Sequence, residues 1–345
     1  MRRALLAWYH RGHRDLPWRR ARDPYAIWVS EIMLQQTRVE TVTPYYQRWM
    51  GRFPTVAALA EAPLDDVLTH WAGLGYYARA RNLHAAAREI VARYHGHFPD
   101  DAQSVRALPG IGRYTAGAIL SIAFGRAEPI LDGNVARVLS RVFFVEEPGK
   151  QNQKLWALAA ELVPADGAGD FNQAMMELGA TVCTPRAPAC LACPLRGICE
   201  AQRRGRAEAL PPSRKKTPTR TVQQVTVLIE RRRRWLLVRR PAAGLWGGLW
   251  EPPTGELAPD ERPAEGAARM VQHSTGLRVD SVELIREFDH VLTHRRMSFH
   301  AFRARAEGRV RLTDYEAARW LPVGSAARDV GVAAWAARLL DGATP

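Results

Sequence analysis

Four cysteines near the middle of the chain are the residues best suited to metal chemistry. They are Cys183, Cys190, Cys193 and Cys199, and the 345-residue sequence has no other cysteine. A disulfide framework normally distributes its cysteines along the chain, whereas a tight cluster favours a metal centre in a reducing compartment. Four thiolates can hold a tetrahedral zinc ion or a [4Fe–4S] cluster, so their spacing alone leaves both alternatives open.

A glycine-rich turn, "LPGIG", is the second feature with a chemical use, and it places Gly110 and Gly112 between two helical patterns. Two glycines permit positive φ angles and let another backbone approach closely. The helix that follows offers unpaired N–H groups and the positive end of its dipole, which suit an anion such as a DNA phosphate. An ordinary corner between two helices is the alternative interpretation.

A single carboxylate, Glu31, lies inside the apolar stretch "IWVSEIML". Burial among large apolar side chains favours the protonated form of a carboxyl group, which is the form that a general acid needs. For a lone glutamate, a buried acid with a purely structural role is the alternative.

Short helices are the elements that must position these groups. Apolar residues recur three and four positions apart in "AALAEAPLDDVLTHWAGL", "NLHAAAREIVARY" and "KLWALAAELV", as they do in amphipathic helices. Asp23-Pro24 and Pro63 are typical of helix starts, and Gly125 is typical of a helix end. The sequence therefore predicts an all-α domain over residues 1–202.

The composition changes after this domain. Residues 203–220, "RRGRAEALPPSRKKTPTR", are rich in Pro, Arg and Lys, which predicts an extended basic linker. Beyond it, "TVQQVTVLIERRRRWLLVRRP" and "LIREFDHVLTHRRMSFHAFRAR" each have the form of a strand, a charged turn and a second strand. With a helical stretch near residues 263–273, these hairpins predict an α+β domain over residues 221–345.

The charge balance indicates the partner. Lys and Arg number 49 against 35 Asp and Glu, a formal net charge of +14, which favours nucleic acid over a membrane. No stretch of about 18 apolar residues is present, and "MRRALLAWYHRG" is better explained as a helix than as a signal peptide. We expect a cytoplasmic, nucleoid-associated monomer that binds duplex DNA and no membrane.

Longer segments carry a resemblance to known proteins. The cysteine intervals, directly after a helix-hairpin-helix pattern, resemble the endonuclease III superfamily of DNA glycosylases. The segments "DPYAIWVSEIMLQQTRVETVTPYYQRW", "GLGYYARARNLH", "LPGIGRYTAGAIL", "ILDGNVARVLSR" and "FNQAMMELGA" resemble the adenine DNA glycosylases, the MutY family. This resemblance covers the whole chain. It implies a [4Fe–4S] cluster on the four cysteines and removal of adenine paired with 8-oxoguanine or guanine.

The resemblance also implies roles for the residues in these motifs. Glu31 would protonate adenine N7 and then handle the incoming water, Asp132 would stabilise the cationic sugar, and Asn134 would assist Asp132. These roles suit an N-glycosidic bond that breaks through an oxocarbenium-like state, which needs an acid and a nearby negative charge. Tyr114 stands where strand-cleaving relatives carry a lysine that forms a Schiff base, so water would be the nucleophile.

Adenine must leave the base stack before this chemistry, because the duplex hides the bond. The resemblance implies that Gln36 and Tyr76 fill or wedge the opened stack. It implies that Arg14, Trp18 and Glu177 line the adenine pocket.

The second domain resembles a Nudix fold, which raises the alternative of a nucleotide pyrophosphohydrolase. Met270, His273 and Ser274 stand where three metal-binding glutamates belong, so we expect no Mg²⁺ site there.

The family instead uses this domain to recognise 8-oxoguanine through a Phe-Ser-His loop. This chain has Leu292, Thr293 and His294 at that place. Thr293 keeps a hydroxyl and His294 keeps a donor, but the aromatic ring is missing.

The sequence therefore predicts a two-domain, monofunctional adenine DNA glycosylase with a [4Fe–4S] cluster. It has an all-α helix-hairpin-helix domain and an α+β Nudix-like domain. One alternative is a bifunctional endonuclease III-like glycosylase and lyase that acts on oxidised pyrimidines. Another is a non-catalytic iron–sulfur protein that binds DNA. Tyr114 and the second domain disfavour the first, and the pair Glu31 and Asp132 disfavours the second.

Overall fold

The computed structural model describes residues 1–146, 151–212, 220–292, 295–326 and 330–343. The chain forms two compact units, and the division does not simply follow chain order. Met1–Glu61 and Asn82–Lys215 form the first unit, whereas Ala62–Arg81 groups with Lys216–Pro345 in the second. Nothing in the local sequence pattern indicates this interleaving, because residues 62–81 have the same helical periodicity as their neighbours.

The first unit consists of helices, which confirms the predicted all-α class. The α-helices up to residue 212 are α1 (Arg2–Gly12), α2 (Pro24–Leu34), α3 (Val39–Arg52), α4 (Val56–Glu61), α5 (Leu64–Trp71), α6 (Ala78–Tyr94), α7 (Ala102–Ala107), α8 (Arg113–Phe124), α9 (Gly133–Val142), α10 (Gln151–Leu162), α11 (Ala168–Thr181) and α12 (Glu200–Arg203). Of these, α5 and the first residues of α6 belong to the second unit.

Helix α2 is a buried helix of the first unit. Asp23 caps its start by accepting hydrogen bonds from the N–H groups of Tyr25 and Ala26, and Pro24 occupies the first helical position, as expected for a helix start. Every residue from 25 to 33 is buried, since the helix is apolar on nearly all sides. It packs against α8, while α11 packs against both α8 and α9. Helix α8 therefore links α2 to α11, and α11 links them to α9, so residues distant in sequence come together.

The turn between α7 and α8 forms a helix-hairpin-helix. Gly110 has a φ of 77°, and a Cβ atom there would lie 2.6 Å from Cβ of Asn82. Gly112 caps α8 in an extended conformation with a φ of −87°. Positive φ is thus required at Gly110 only, whereas the sequence predicted that both glycines could use it. The N-cap residue, Gly112, has no side chain that could cap the first N–H groups of α8.

The second unit contains a mixed seven-stranded sheet, which confirms the predicted α+β class. The strand order is β3-β2-β1-β6-β5, with β4 on β1 and β7 on β2; β1 and β6 are parallel. The strands are β1 (Arg220–Arg231), β2 (Arg234–Arg239), β3 (Trp250–Glu251), β4 (Thr254–Glu256), β5 (Arg278–Val291), β6 (Arg295–Glu307) and β7 (Ala317–Pro322). The helices that accompany the sheet in the described part of the chain include α13 (Pro263–Thr275) and α14 (Ala334–Gly342).

Both predicted hairpins are present, as β1–β2 and β5–β6. The predicted helix near residues 263–273 is α13, which ends at Gly276 in the left-handed conformation. Residues 213–219 of the predicted linker lie outside the described residues. In the described part of the chain, no helix is long and apolar enough to cross a membrane.

Candidate active site

A cleft of about 810 Å³ opens in the first unit. Its walls include residues from α2, α8, α9 and α11, the four helices that converge in the core. Seven of the residues predicted from the sequence line it: Arg14, Trp18, Glu31, Gln36, Tyr114, Asp132 and Asn134. Tertiary packing therefore places the predicted acid, the predicted sugar stabiliser and the tyrosine of the hairpin helix around one cavity.

Glu31 is the buried carboxyl group of this cleft, with 5% of its surface exposed. The Tyr114 hydroxyl donates a hydrogen bond to Oε2 of Glu31 at 2.5 Å and contacts Sδ of Met176 at 3.2 Å. Burial raises the pKa of Glu31 to about 7; the charge of Asp132 acts in the same direction, and Tyr114 and Arg19 oppose it. Near neutral pH a large fraction of Glu31 is therefore protonated, as general acid catalysis requires.

Asp132 is held as the N-cap of α9. Its Oδ1 accepts from the N–H of Val135 at 2.7 Å, and its Oδ2 accepts from Nδ2 of Asn134 at 2.9 Å. Burial raises the pKa of Asp132, and these two hydrogen bonds and the charge of Arg137 oppose that rise. The N-terminus of a helix also favours a negative charge. The carboxylate is thus fixed in orientation while it faces the cleft.

Two residues that the sequence did not predict position Asn134. Arg137 donates to Oδ1 of Asn134 at 2.8 Å, and also to the carbonyls of Gly179 at 2.8 Å and Cys183 at 2.7 Å. Helix α11 approaches α9 so closely that a Cβ atom on Gly179 would lie 2.5 Å from Cβ of Asn134. The only sequence signal was their place in "ILDGNVARVLSR" and "FNQAMMELGA".

Glu177 lies behind Arg14 and Arg19, which line the cleft, and only 2% of its surface is exposed. Arg14 forms a two-pronged ion pair with it at 2.8 and 2.9 Å, and Nη2 of Arg19 approaches to 2.9 Å. Burial raises the pKa of Glu177, but the hydrogen bonds and charges of the two arginines outweigh it and bring the pKa to about 2. Glu177 therefore orients the two arginines that line the cleft. Arg19 was not predicted.

Gln36 lines the cleft directly after α2, with a φ of 58°. The other predicted residues lie elsewhere or cannot be placed. Tyr76 belongs to the second unit, is 48% exposed and has a φ of 48°. Thr293 and His294 lie outside the described residues.

The four cysteines line one small cavity, and none forms a disulfide. Burial raises the pKa of Cys193 to about 11 and also raises the pKa of Cys199, so a bound metal would have to displace protons from these thiols. Among the described residues, no group of three or more His, Cys, Asp or Glu side chains could hold a single metal ion. Four thiols around one cavity are the donor set that a [4Fe–4S] cluster uses.

Comparison with known proteins indicates the family to which the chain is similar. The model of the "HhH-GPD superfamily base excision DNA repair protein" matches residues 29–164, and a "NUDIX domain" model matches residues 224–342. A human adenine DNA glycosylase is 40% identical, over 93% of this chain and 70% of its own length. The structure of a thermostable thymine-DNA glycosylase matches with a TM-score of 0.54 and 30% identity, covering 59% of this chain and 94% of that one. Endonuclease III in a non-covalent complex with DNA shares the fold, with a TM-score of 0.50, 23% identity, and coverage of 58% and 92%.

The two solved structures extend over little more than the helical part of the chain, whereas the human relative extends over both parts. That match over both parts of the chain agrees with the site, in which a buried acid, a capped aspartate and a tyrosine share one cleft. The chain therefore belongs to the adenine DNA glycosylases, the DNA N-glycosylases with a helix-hairpin-helix domain and a Nudix-like domain that act in base excision repair.

Proposed function

We propose that the protein excises adenine mispaired with 8-oxoguanine or guanine in duplex DNA, by base flipping and acid-assisted hydrolysis. The observation that carries this proposal is the protonatable Glu31, with its pKa of about 7, in the same cleft as Asp132. Two carboxyl groups in different environments are what cleavage through an oxocarbenium-like state needs, one to supply a proton and one to balance positive charge.

The contacts of Glu31 indicate which of its two carboxyl oxygens would carry the proton. Tyr114 donates to Oε2, so the proton for N7 of adenine would be carried on Oε1. As that proton moves to the purine, the bond between C1′ and N9 breaks and its electron pair leaves with the base. Asp132 stabilises the cationic sugar, water adds at C1′, and the water proton returns to the Glu31 carboxylate. The site is then ready for another turnover.

The same geometry supports a monofunctional enzyme. Tyr114 has no amine to form a Schiff base with the sugar, and its hydroxyl is engaged with Glu31. Burial raises the pKa of Tyr114, so its hydroxyl loses its proton to form a nucleophilic phenolate even less readily. Hydrolysis would leave an abasic site in an intact strand.

Duplex DNA is the proposed partner. The N-cap residue of α8 is a glycine, which offers no capping side chain, so the first N–H groups of the helix are suited to a backbone phosphate next to the turn. The net charge of +14 favours association with any duplex. Selection of 8-oxoguanine is assigned to Thr293 and His294, on the resemblance of their hairpin to the lesion-recognition loop.

A [4Fe–4S] cluster is the proposed cofactor, with Cys183, Cys190, Cys193 and Cys199 as ligands. When bound, it would supply a structural cross-link for the loop that follows α11. Purified protein should then contain about four irons per chain. Stoichiometric zinc in a colourless protein would contradict this part of the proposal.

Single-turnover cleavage tests the reaction. Duplexes would carry adenine or thymine glycol opposite 8-oxoguanine or guanine, and adenine release is expected from both mispairs with no action on thymine glycol. Alanine at both Thr293 and His294 should lower the preference for 8-oxoguanine over guanine. An unchanged ratio would place lesion recognition elsewhere, and cleavage at thymine glycol would favour the endonuclease III-like alternative.

Borohydride trapping separates hydrolysis from lyase chemistry. Wild-type protein should form little covalent complex with adenine-mispair DNA, whereas Tyr114→Lys should gain weak lyase activity and a trapped complex. Efficient trapping by the wild type would contradict the monofunctional assignment. A folded Tyr114→Lys variant that binds DNA without any trapping would place residue 114 away from the sugar.

A further inference from the structure

Arg141 of α9 is a buried cation beside the four cysteines, with only 2% of its surface exposed. It lines the same cavity as all four thiols. Its Nη1 donates to Sγ of Cys183 at 3.3 Å and to the carbonyl of Thr184 at 2.7 Å. The thiol of Cys199 in turn lies 3.5 Å from the Arg141 carbonyl oxygen. Arg141 thus contacts the first and the last cysteine of the loop.

The same guanidinium also binds two further segments of backbone. Nη2 donates to the carbonyl of Pro185 at 3.1 Å, and Nε donates to the carbonyl of Leu210 at 2.9 Å. One side chain on α9 therefore holds the start of the cysteine loop, at Thr184 and Pro185, and the segment around Leu210 that follows the loop. A planar guanidinium with donors in a fixed fork can make such contacts at once, whereas an ammonium group cannot.

The charge of Arg141 requires a counter-charge. Among the described residues, its guanidinium donates to three carbonyl oxygens and to the Cys183 sulfur, and a buried cation surrounded by neutral groups is costly. Thiolates that ligate iron carry the negative charge that would balance it. Ligated sulfurs would thus supply the counter-charge for this buried arginine.

We propose that Arg141 is a positioning residue for the iron–sulfur centre, which both closes the cysteine loop and raises the reduction potential of the cluster. This inference rests on the proposed [4Fe–4S] cofactor. Positive charge and N–H···S hydrogen bonds favour the cluster state that holds one more electron, so they raise its potential. The bound cluster is thereby protected against oxidation and the loss of iron that follows.

The test compares two variants. Arg141→Met removes both the positive charge and the guanidinium donors, whereas Arg141→Lys keeps the positive charge but not the planar set of donors. Arg196→Met is the matched control, because Arg196 lines the same cavity but is exposed. Full-length proteins would be purified without oxygen, and iron content, midpoint potential by film voltammetry and the rate of bleaching by ferricyanide would be measured. Circular dichroism would verify that each variant is folded.

We expect Arg141→Met to shift the one-electron equilibrium towards the oxidised form at least tenfold, which is a fall of about 59 mV in potential. Its cluster should also bleach faster, the lysine variant should be intermediate, and the control should match the wild type. If Arg141→Met retains no iron, a lysine variant that holds iron at a lowered potential supports the proposal. A wild-type potential in either Arg141 variant overturns it. Wild-type protein without iron would instead refute the cofactor proposal.

Discussion

Replacing Glu31 with glutamine should stabilise the fold above about pH 5 and strongly slow adenine release. Burial raises the pKa of Glu31 from 4.5 to about 7, so the folded protein binds this proton more tightly than the unfolded chain does. The contribution of this bound proton to the free energy of unfolding is fully present below about pH 4.5, and it is lost as the pH rises towards 7. Above pH 7 the loss is about 3 kcal/mol, because a tenfold change in proton affinity corresponds to about 1.4 kcal/mol.

Glutamine at this position should not lose unfolding free energy as the pH rises. Its amide carries no charge at any of these pH values, and its oxygen can accept the hydrogen bond that the Tyr114 hydroxyl now donates to Oε2. Urea unfolding followed by circular dichroism would measure the free energy of unfolding at pH 5 and pH 8. We expect Glu31→Gln to exceed the wild type by about 1 kcal/mol or less at pH 5 and by about 3 kcal/mol at pH 8.

The exposed Glu61 offers a matched control, since Glu61→Gln should show no such pH-dependent difference. In single-turnover assays at pH 7, loss of the general acid should slow adenine release by about 100-fold to 10,000-fold. A stability difference that does not change with pH would refute the assignment of a raised pKa to Glu31. Release within about tenfold of the wild type, or 1.4 kcal/mol in barrier height, would show that another group is the acid.

Three further substitutions test the surroundings of Glu31. Tyr114→Phe removes the hydrogen bond that lowers the pKa of Glu31, so the alkaline limb of the single-turnover pH profile should move to higher pH; an unmoved limb would contradict this coupling. Asp132→Asn should still bind mispair DNA in a gel-shift assay while losing adenine release, and release within about tenfold of the wild type would exclude Asp132 as the charge stabiliser. Gly179→Ala should slow release and cost about 1–3 kcal/mol of unfolding free energy, because the added methyl group overpacks the contact with α9. Gly51→Ala is its helical control, with open space around the added methyl, and equal effects of the two would contradict the packing argument.

Local patterns in the sequence were sufficient for the fold class of both units. Helical periodicity and helix starts such as Asp23-Pro24 predicted the all-α unit, and two strand-turn-strand patterns predicted the sheet. These signals are local, because a helix or a hairpin depends on residues within a few positions of each other. The motif around Gly110 predicted the hairpin turn for the same reason.

The sequence by itself also indicated which residues could carry chemistry, since a carboxylate among apolar residues and four clustered cysteines are visible without coordinates. Only the tertiary structure decided their environment. The ion pair of Arg14 with Glu177 joins residues 163 positions apart, and the contact of α9 with Gly179 depends on how two helices pack. The grouping of residues 62–81 with the C-terminal unit is likewise invisible in local patterns. Proton affinity and side-chain orientation follow from burial and from partners supplied by distant segments, so they are settled only when the chain packs.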